Sequence, residues 1–265
     1  MLLGYIASLL IGISLGLIGG GGSILTMPVM VYLFGVSPLM ATSYSLFIVG
    51  STSMVGAVQQ FFQGKVNVRM GLLFAVVSMV TVFIARKWVV PFIPLHIATV
   101  FGVQITKSVL TMLLFAALMV VAAIFMMKGK QPKEDNLQLT QSINLRQLVI
   151  FGIGIGLITG ILGAGGGFLL IPAMVLILHL PMKTAVGTSL LVIALNSLIG
   201  FMGNIGDAGM DWKLLSTVTI LAVAGIFLGT LLSRKIPGNS LKKGFGWFVL
   251  LMGIYILVKE FSNLL

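Results

Sequence analysis

Residues 16–28 read GLIGGGGSILTMP, and residues 160–172 read GILGAGGGFLLIP. Each carries a small-residue cluster, Gly19 to Ser23 or Gly163 to Gly167, that ends five residues before Pro28 or Pro172. A helix does not run easily through such a cluster, because each glycine costs about 1 kcal/mol relative to alanine. A shift of 144 positions carries Gly16, Gly19, Gly21, Gly22 and Pro28 onto Gly160, Gly163, Gly165, Gly166 and Pro172. The same shift carries Ala41, Ser45 and Leu46 onto Ala185, Ser189 and Leu190, with no gap from Gly12 to Gly56. A proline, an alanine and a Ser-Leu pair in one register set this apart from a chance match of Gly and Leu. The two halves are therefore read as copies of one unit.

The sequence around these clusters is 58% hydrophobic and only 8% charged, with a mean hydropathy of +1.18. Such a composition suits lipid rather than water as the main solvent. Apolar stretches of about 18 residues or more recur along the chain, each long enough to cross a hydrocarbon core of roughly 30 Å as a helix. Short alternating strands are not seen, which argues against a β-barrel. Met1 to Ile18 holds no Lys or Arg, so a cleaved signal peptide is a poor reading and the segment is expected in the mature protein. The net charge of +11 comes from basic residues scattered in ones and twos, which read as topology determinants rather than a nucleic-acid surface. With no cysteine, disulfides, iron–sulfur clusters, thiolate metal sites and cysteine catalysis are excluded.

Glycine punctuation and charge divide the chain into helical regions at 2–35, 38–62, 70–85, 97–127, 145–180, 184–203, 214–233 and 244–258. The polar stretch 128–144 separates a first membrane repeat, 1–127, from a second, 145–265, and is expected to be a cytoplasmic linker. Placing it and the basic loop 234–243 inside puts loop 205–211, with Asp207 and Asp211, outside. The equivalent loop 64–69 has Lys65 and Arg69 and no acid, so it belongs inside. Equivalent loops then lie on opposite faces, the mark of inverted-topology repeats. This leaves Arg86 and Lys87 outside, against the rule, and a parallel duplication with an even number of crossings is the alternative. The expected fold is an all-α polytopic membrane protein of two inverted repeats, about five helical segments each, with 2–35 and 145–180 as glycine-broken or re-entrant hairpins.

A chain break at membrane depth is tolerated only where protein or a water-lined cavity satisfies the freed backbone groups. The segment resuming after each cluster presents its first N–H groups, whose partial positive charge suits an anion's oxygens. Glycine also lets the backbone form a concave nest of donors. The candidate site residues are therefore Gly20, Gly21, Gly22 and Ser23 in the first half, with Ala164, Gly165, Gly166 and Gly167 in the second. Packing is the competing role for glycine, and Gly12-x-x-x-Gly16 and Gly156-x-x-x-Gly160 are assigned to it. Hydroxyls following each hairpin, Ser43, Ser45, Thr188 and Ser189, can donate to an oxyanion or cap a helix start. Deeper in the same helices, Ser51, Thr52, Ser53, Asn196 and Ser197 continue a polar stripe expected to face the pathway, since Asn196 would be costly against lipid.

All five acids, Glu134, Asp135, Asp207, Asp211 and Glu260, lie in loops or at the C-terminal end. No carboxylate is left within the spans for a cation site or a proton relay, which favours an anion as the transported species. Lys107, with Gln104 one turn earlier, either faces an anion or snorkels to the interface. His96 and His179 sit beside Pro94 and Pro181 at segment ends, where a lone histidine is more often structural than a ligand, and no metal site is expected. No GxxxxGKS motif occurs, so ATP hydrolysis is not expected of the chain.

The repeated Gly-x-x-Gly-rich-to-Pro motif is followed by Ala-Thr-Ser-Tyr-Ser at Ala41 to Ser45 and Ala-Val-Gly-Thr-Ser at Ala185 to Ser189. In these features, and in length and duplication, the chain resembles the TauE/SafE sulfite exporter family, the transmembrane permeases for organosulfur compounds. The resemblance implies a multi-pass inner-membrane permease that exports, or in some members imports, sulfite or organosulfonates. The first half departs from the pattern at Ser43-Tyr44, where the second has Gly187-Thr188, so a contact inferred for Thr188 does not carry over to Tyr44. The expected partners are a small sulfur-containing anion and the lipid bilayer, with no nucleic acid and no cofactor; a homodimer is compatible with the sequence. Two other readings remain: an anion-selective channel, and a membrane subunit supplying a sulfur compound to an enzyme. For an enzyme proper, a buried acid, cysteine or paired histidine would be expected.

Overall fold

The computed structural model describes residues 2–89, 96–100, 103–128, 145–162, 167–178, 180–202 and 210–264. These form ten α-helices: α1 (Leu2–Ile18), α2 (Gly21–Tyr32), α3 (Pro38–Phe62), α4 (Val68–Ile84), α5 (Lys107–Lys128), α6 (Leu145–Leu162), α7 (Gly167–Pro172), α8 (Met182–Met202), α9 (Trp212–Lys235) and α10 (Gly238–Leu264). Short π-helical turns continue α4 over Ala85–Val89 and α7 over Ala173–Ile177.

Local chemistry sets several of these boundaries. Pro38 stands at the start of α3, where its missing N–H is no loss and its fixed φ suits the helix. The Asn67 side chain accepts the Met70 N–H at 3.1 Å and begins α4. Asp211 begins α9 by accepting the N–H groups of Lys213 and Leu214, both at 3.0 Å. Arg234 and Lys235 close that helix with charge that complements its dipole. Asp211→Ala is expected to cost about 1 kcal/mol through loss of this cap, read as a lower thermal midpoint in detergent, while Asp211→Asn keeps an acceptor and stays close to the parent.

One sequence expectation is corrected. Region 97–127 is not helical throughout, because β1 (His96–Val100) and β2 (Val103–Thr106) pair antiparallel, with Thr99 opposite Gln104 and Val100 opposite Val103. Ile97, Thr99, Val100, Val103, Ile105 and Thr106 are β-branched, and such residues favour strands over helices. Apart from this hairpin the regular structure of the described residues is helical.

Among the described residues, five stretches are long and apolar enough to cross a membrane: Met40–Phe62, Val68–Val89, Met182–Met202, Trp212–Lys235 and Gly238–Lys259. Their outer faces are apolar and exposed, including Phe62, Val76, Phe83, Ile220, Leu231, Trp247, Leu251 and Val258. A contiguous apolar exterior of this extent is unfavourable in water and favourable in lipid. The chain is a multi-pass membrane protein. Its interior is closed by small hydroxyls that bond back along their own helices, as Ser8 does to the Gly4 carbonyl and Thr26 to the Gly22 carbonyl, both at 2.8 Å.

The halves interleave. Helix α1 runs parallel to α9, with Gly12 against the backbone of Ala222 and Gly16 placed so that a Cβ would stand 2.5 Å from the Ile226 oxygen. Helices α6 and α4 repeat this pairing: a Cβ on Gly156 would lie 2.7 Å from Thr81 Cβ and 2.9 Å from the Ser78 oxygen. Ser78 and Ala222 correspond under the 144-residue shift, as do Gly156 and Gly12. The corresponding helices α3 and α8 cross antiparallel, Gly200 meeting Leu46, Gly50 meeting Leu198 and Gly56 meeting Leu190. Helices α5 and α10 are antiparallel too, with Gly246 beside Met127 and Gly253 beside Ala116 and Val120.

Candidate functional site

The first glycine cluster makes a sharp turn between α1 and α2. Gly19 has φ +77°, a conformation that strains any residue with a Cβ. Its N–H donates to the Leu15 carbonyl at 2.7 Å, and the Gly20 N–H donates to the Ile18 carbonyl at 3.0 Å. The chain then doubles back, so that Gly22 packs on Leu15 and on the Ile11 carbonyl of α1. The open ends of this hairpin meet as well, with the rings of Tyr5 and Phe34 5.5 Å apart. Helices α1 and α2 are thus a helical hairpin whose turn is buried and whose two ends emerge together.

The turn lies against the second half of the chain. A Cβ on Gly19 would stand 2.9 Å from Ser189 Oγ, 3.2 Å from the Val186 Cα and 3.2 Å from Ile171. Ser23, buried, donates to the Gly20 carbonyl at 2.7 Å, and its Oγ is 3.1 Å from where a Gly167 Cβ would be. Ser23 and Gly167 correspond under the 144-residue shift. Equivalent points of the two glycine motifs therefore touch.

The remaining candidates have differing roles. Gly20 to Ser23 open α2, and Gly20 supplies no side-chain cap to it, leaving its first N–H groups without intrahelical partners. Thr188 Oγ1 accepts the Asn67 N–H at 3.0 Å, which ties α8 to the start of α4. Ser189 donates to the Val186 carbonyl at 2.9 Å. Ser43 is buried and Ser45 half-buried on α3. Asn196 Nδ2 donates to Ser78 Oγ at 2.9 Å, while its Oδ1 and the hydroxyls of Thr52 and Ser53 are buried without partners among the described residues. Thr52 and Asn196 correspond in the repeat and lie level with one another where α3 and α8 cross. Ala164, Gly165, Gly166, Asp207, His179 and linker residues 129–144 lie outside the described residues. Lys107 is the first residue of the apolar helix α5, and its side chain lies outside the described part.

Sequence reading missed two features. Tyr44 is buried and its hydroxyl accepts the Asp211 N–H, joining α3 to the start of α9. Lys65, read only as a topology marker, gathers charged and amide groups around it. Burial, and then the positive charges of Lys183 and Arg234, hold its ammonium below its ordinary value. Gln59, Gln60 and Gln63, three amides at the end of an apolar span, were the signal that this end is more than a loop.

Apolar helices around a buried hairpin turn, with buried serine, threonine and asparagine on α2, α3 and α8, make a polytopic membrane protein. The sequence profile described as Sulfite exporter TauE/SafE matches residues 4–256. The chain belongs to that family, and it is a transporter rather than an enzyme. It is 28% identical over 260 residues to a "Probable membrane transporter protein" of Xylella fastidiosa (strain 9a5c), covering 96% of this chain and 94% of the relative. "Probable membrane transporter protein YdhB" of Bacillus subtilis (strain 168) is 27% identical over 251 residues, covering 94% and 96%. "Probable membrane transporter protein MJ0441" of Methanocaldococcus jannaschii is 36% identical over 115 residues, 41% of this chain and 43% of the relative. No solved structure matches.

Proposed function

We propose that the chain is a secondary permease for small anions, exporting sulfite or an organosulfonate across the inner membrane by alternating access. The observation that carries this reading is the contact of Ser23 with Gly167, which brings the two glycine motifs together. The anion would lie at this junction, held by the N–H groups that open α2, with Ser189 of α8 on the side of the first turn and Ser43 and Ser45 of α3 on the opposite side. Ala164 to Gly166 would complete the shell from the second half. A sulfonate or sulfite offers several acceptor oxygens, so backbone donors can hold it without an arginine.

The antiparallel crossing of the corresponding helices α3 and α8 supports inverted repeats. So does the clustering of Lys65, Lys183 and Arg234 at one end of the bundle, with Asp211 and the start of α3 at the other. In this topology 1–127 and 145–265 are the two repeats, and the α1–α2 hairpin is re-entrant from the outer face.

Sulfite counterflow into proteoliposomes tests the reading. The parent is expected to exchange sulfite, and Gly167→Val to lose exchange by about tenfold or more, because its Cβ alone would sit 2.8 Å from Ile193 and crowd Ser23. Unchanged exchange in a folded Gly167→Val protein would displace the site. Carboxylate exchange without sulfite or sulfonate exchange would overturn the substrate class.

A further inference from the structure

At the end of α3 the chain turns on itself and is held firmly. The N–H groups of Gln63 and Lys65 donate to the Gln60 carbonyl at 3.2 and 3.1 Å, and Gly64 donates to Phe61 at 2.9 Å. Asn67 is tied to Thr188, and the Lys65 carbonyl rests against Gly187. Lys65 is thereby fixed on the first turns of α8, the same turns whose Val186 and Ser189 touch Gly19. The cation loop and the glycine turn thus meet α8 within a single helical turn.

Lys183 and Arg234 bring two more positive charges to this place from α8 and α9. Asp211, the acid whose side chain is described, caps α9 at the opposite end. Lys65 Nζ donates to Gln63 Oε1 at 2.9 Å. An ammonium can only donate, so this bond fixes the orientation of the carboxamide and makes the other terminus its NH₂. That NH₂ is buried and has no acceptor among the described residues, and the carboxamide oxygens of Gln59 and Gln60, acceptors that ask for a donor, are buried there without partners as well. Three like charges at this end of the bundle, with a buried donor beside one of them, favour a negative ligand there.

We propose that Lys65, Lys183, Arg234 and the Gln63 carboxamide form an anion-capture site for a small oxyanion at one mouth of the protein. The proposal rests on the permease reading and adds directionality to it. The 144-residue shift takes Gln63 to Asp207, Lys65 to Gly209, Lys183 to Leu39 and Arg234 to Val90, so the equivalent sequence positions do not repeat the set. Anion is concentrated at the Lys65 side and delivered to the Gly19 turn from there, which under the topology proposed above is the cytoplasmic side, as export requires.

Equilibrium binding of radiolabelled sulfite to the purified protein in phosphatidylcholine nanodiscs at low salt tests this. The triple variant Lys65→Gln, Lys183→Gln, Arg234→Gln is expected to bind about tenfold more weakly or worse. Gln63→Leu, which removes no charge, is expected to weaken binding as well, and Lys65→Arg to retain it. Binding by the triple variant equal to the parent, or no binding by the parent, overturns the proposal. A phosphate headgroup shares this chemistry, so the measurement is repeated with phosphatidylglycerol. Sulfite binding that persists supports a free-anion site, whereas binding abolished by the lipid assigns the place to headgroups and overturns it. Flux separates the two readings: sulfite bound but not carried ends the permease reading and leaves the site standing. Flux with unchanged affinity from both faces in the triple variant ends the site alone.

Discussion

Gly19→Val is expected to abolish sulfite exchange and to destabilise the folded protein by about 2–5 kcal/mol, the sum of backbone strain and overpacking. Two costs coincide at this position. The φ of +77° is unfavourable for any β-branched residue, and a Cβ would press on Ser189, Val186 and Ile171. Gly35 separates the two costs, because it has φ +69° but nothing within 4 Å of a Cβ. Gly35→Ala should show only the strain, about 1–2 kcal/mol, with exchange retained. Thermal midpoints in nanodiscs and counterflow on the same preparations give the comparison. Equal effects at the two positions would mean that the contact with α8 contributes nothing.

The second large effect is expected at Gly12. Gly12→Leu should prevent assembly, seen as loss of monodisperse protein on size-exclusion chromatography, since α1 and α9 meet backbone to backbone there. Ala222 lies against Gly12, and Gly225 and Gly229 lie against the Leu9 and Ile13 carbonyls. No side chain at this seam can rotate away, so the helices themselves must separate. Gly154→Ala is the matched control. It is a helical glycine with nothing within 4 Å of a Cβ, and the substitution should be neutral or stabilise by about 0.5–1 kcal/mol. A folded, active Gly12→Leu protein would show that the seam is not needed.

The helices were legible where punctuation was strong. Region 38–62, bracketed by Ser37-Pro38 and Gly64, is the observed α3, and the first glycine cluster marks the turn between α1 and α2, while the second lies outside the described residues. The packing role of Gly12 and Gly16 was legible from their spacing, but their partner, α9 in the other half, was not, because spacing says nothing of what a small face meets. The strands at 96–106 were hidden by their hydrophobicity, since an apolar run without period fits a buried helix or a strand equally. Within the first cluster, Gly19 is required by its backbone conformation and Gly22 by its approach to α1, a division that identical residues in a row cannot reveal. The Lys65 cluster was out of reach for a different reason, because its members come from a loop and two helices far apart in the chain.

The seam between α1 and α9 also bears on how the protein is made. Gly12 is synthesised long before Gly225, on the order of two hundred residues at about 5–20 residues per second, so α1 waits ten seconds or more for its partner. During that interval its backbone-exposing glycine face has only lipid, or a surrogate helix, to lie against. The α4–α6 pair closes sooner, because its two helices are separated mainly by α5 and the linker. The order of closure is therefore α4–α6 first, α1–α9 later and α5–α10 last. A nascent chain released before α9 would leave α1 and α5 without the helices they pack against, the species that quality-control proteases would meet.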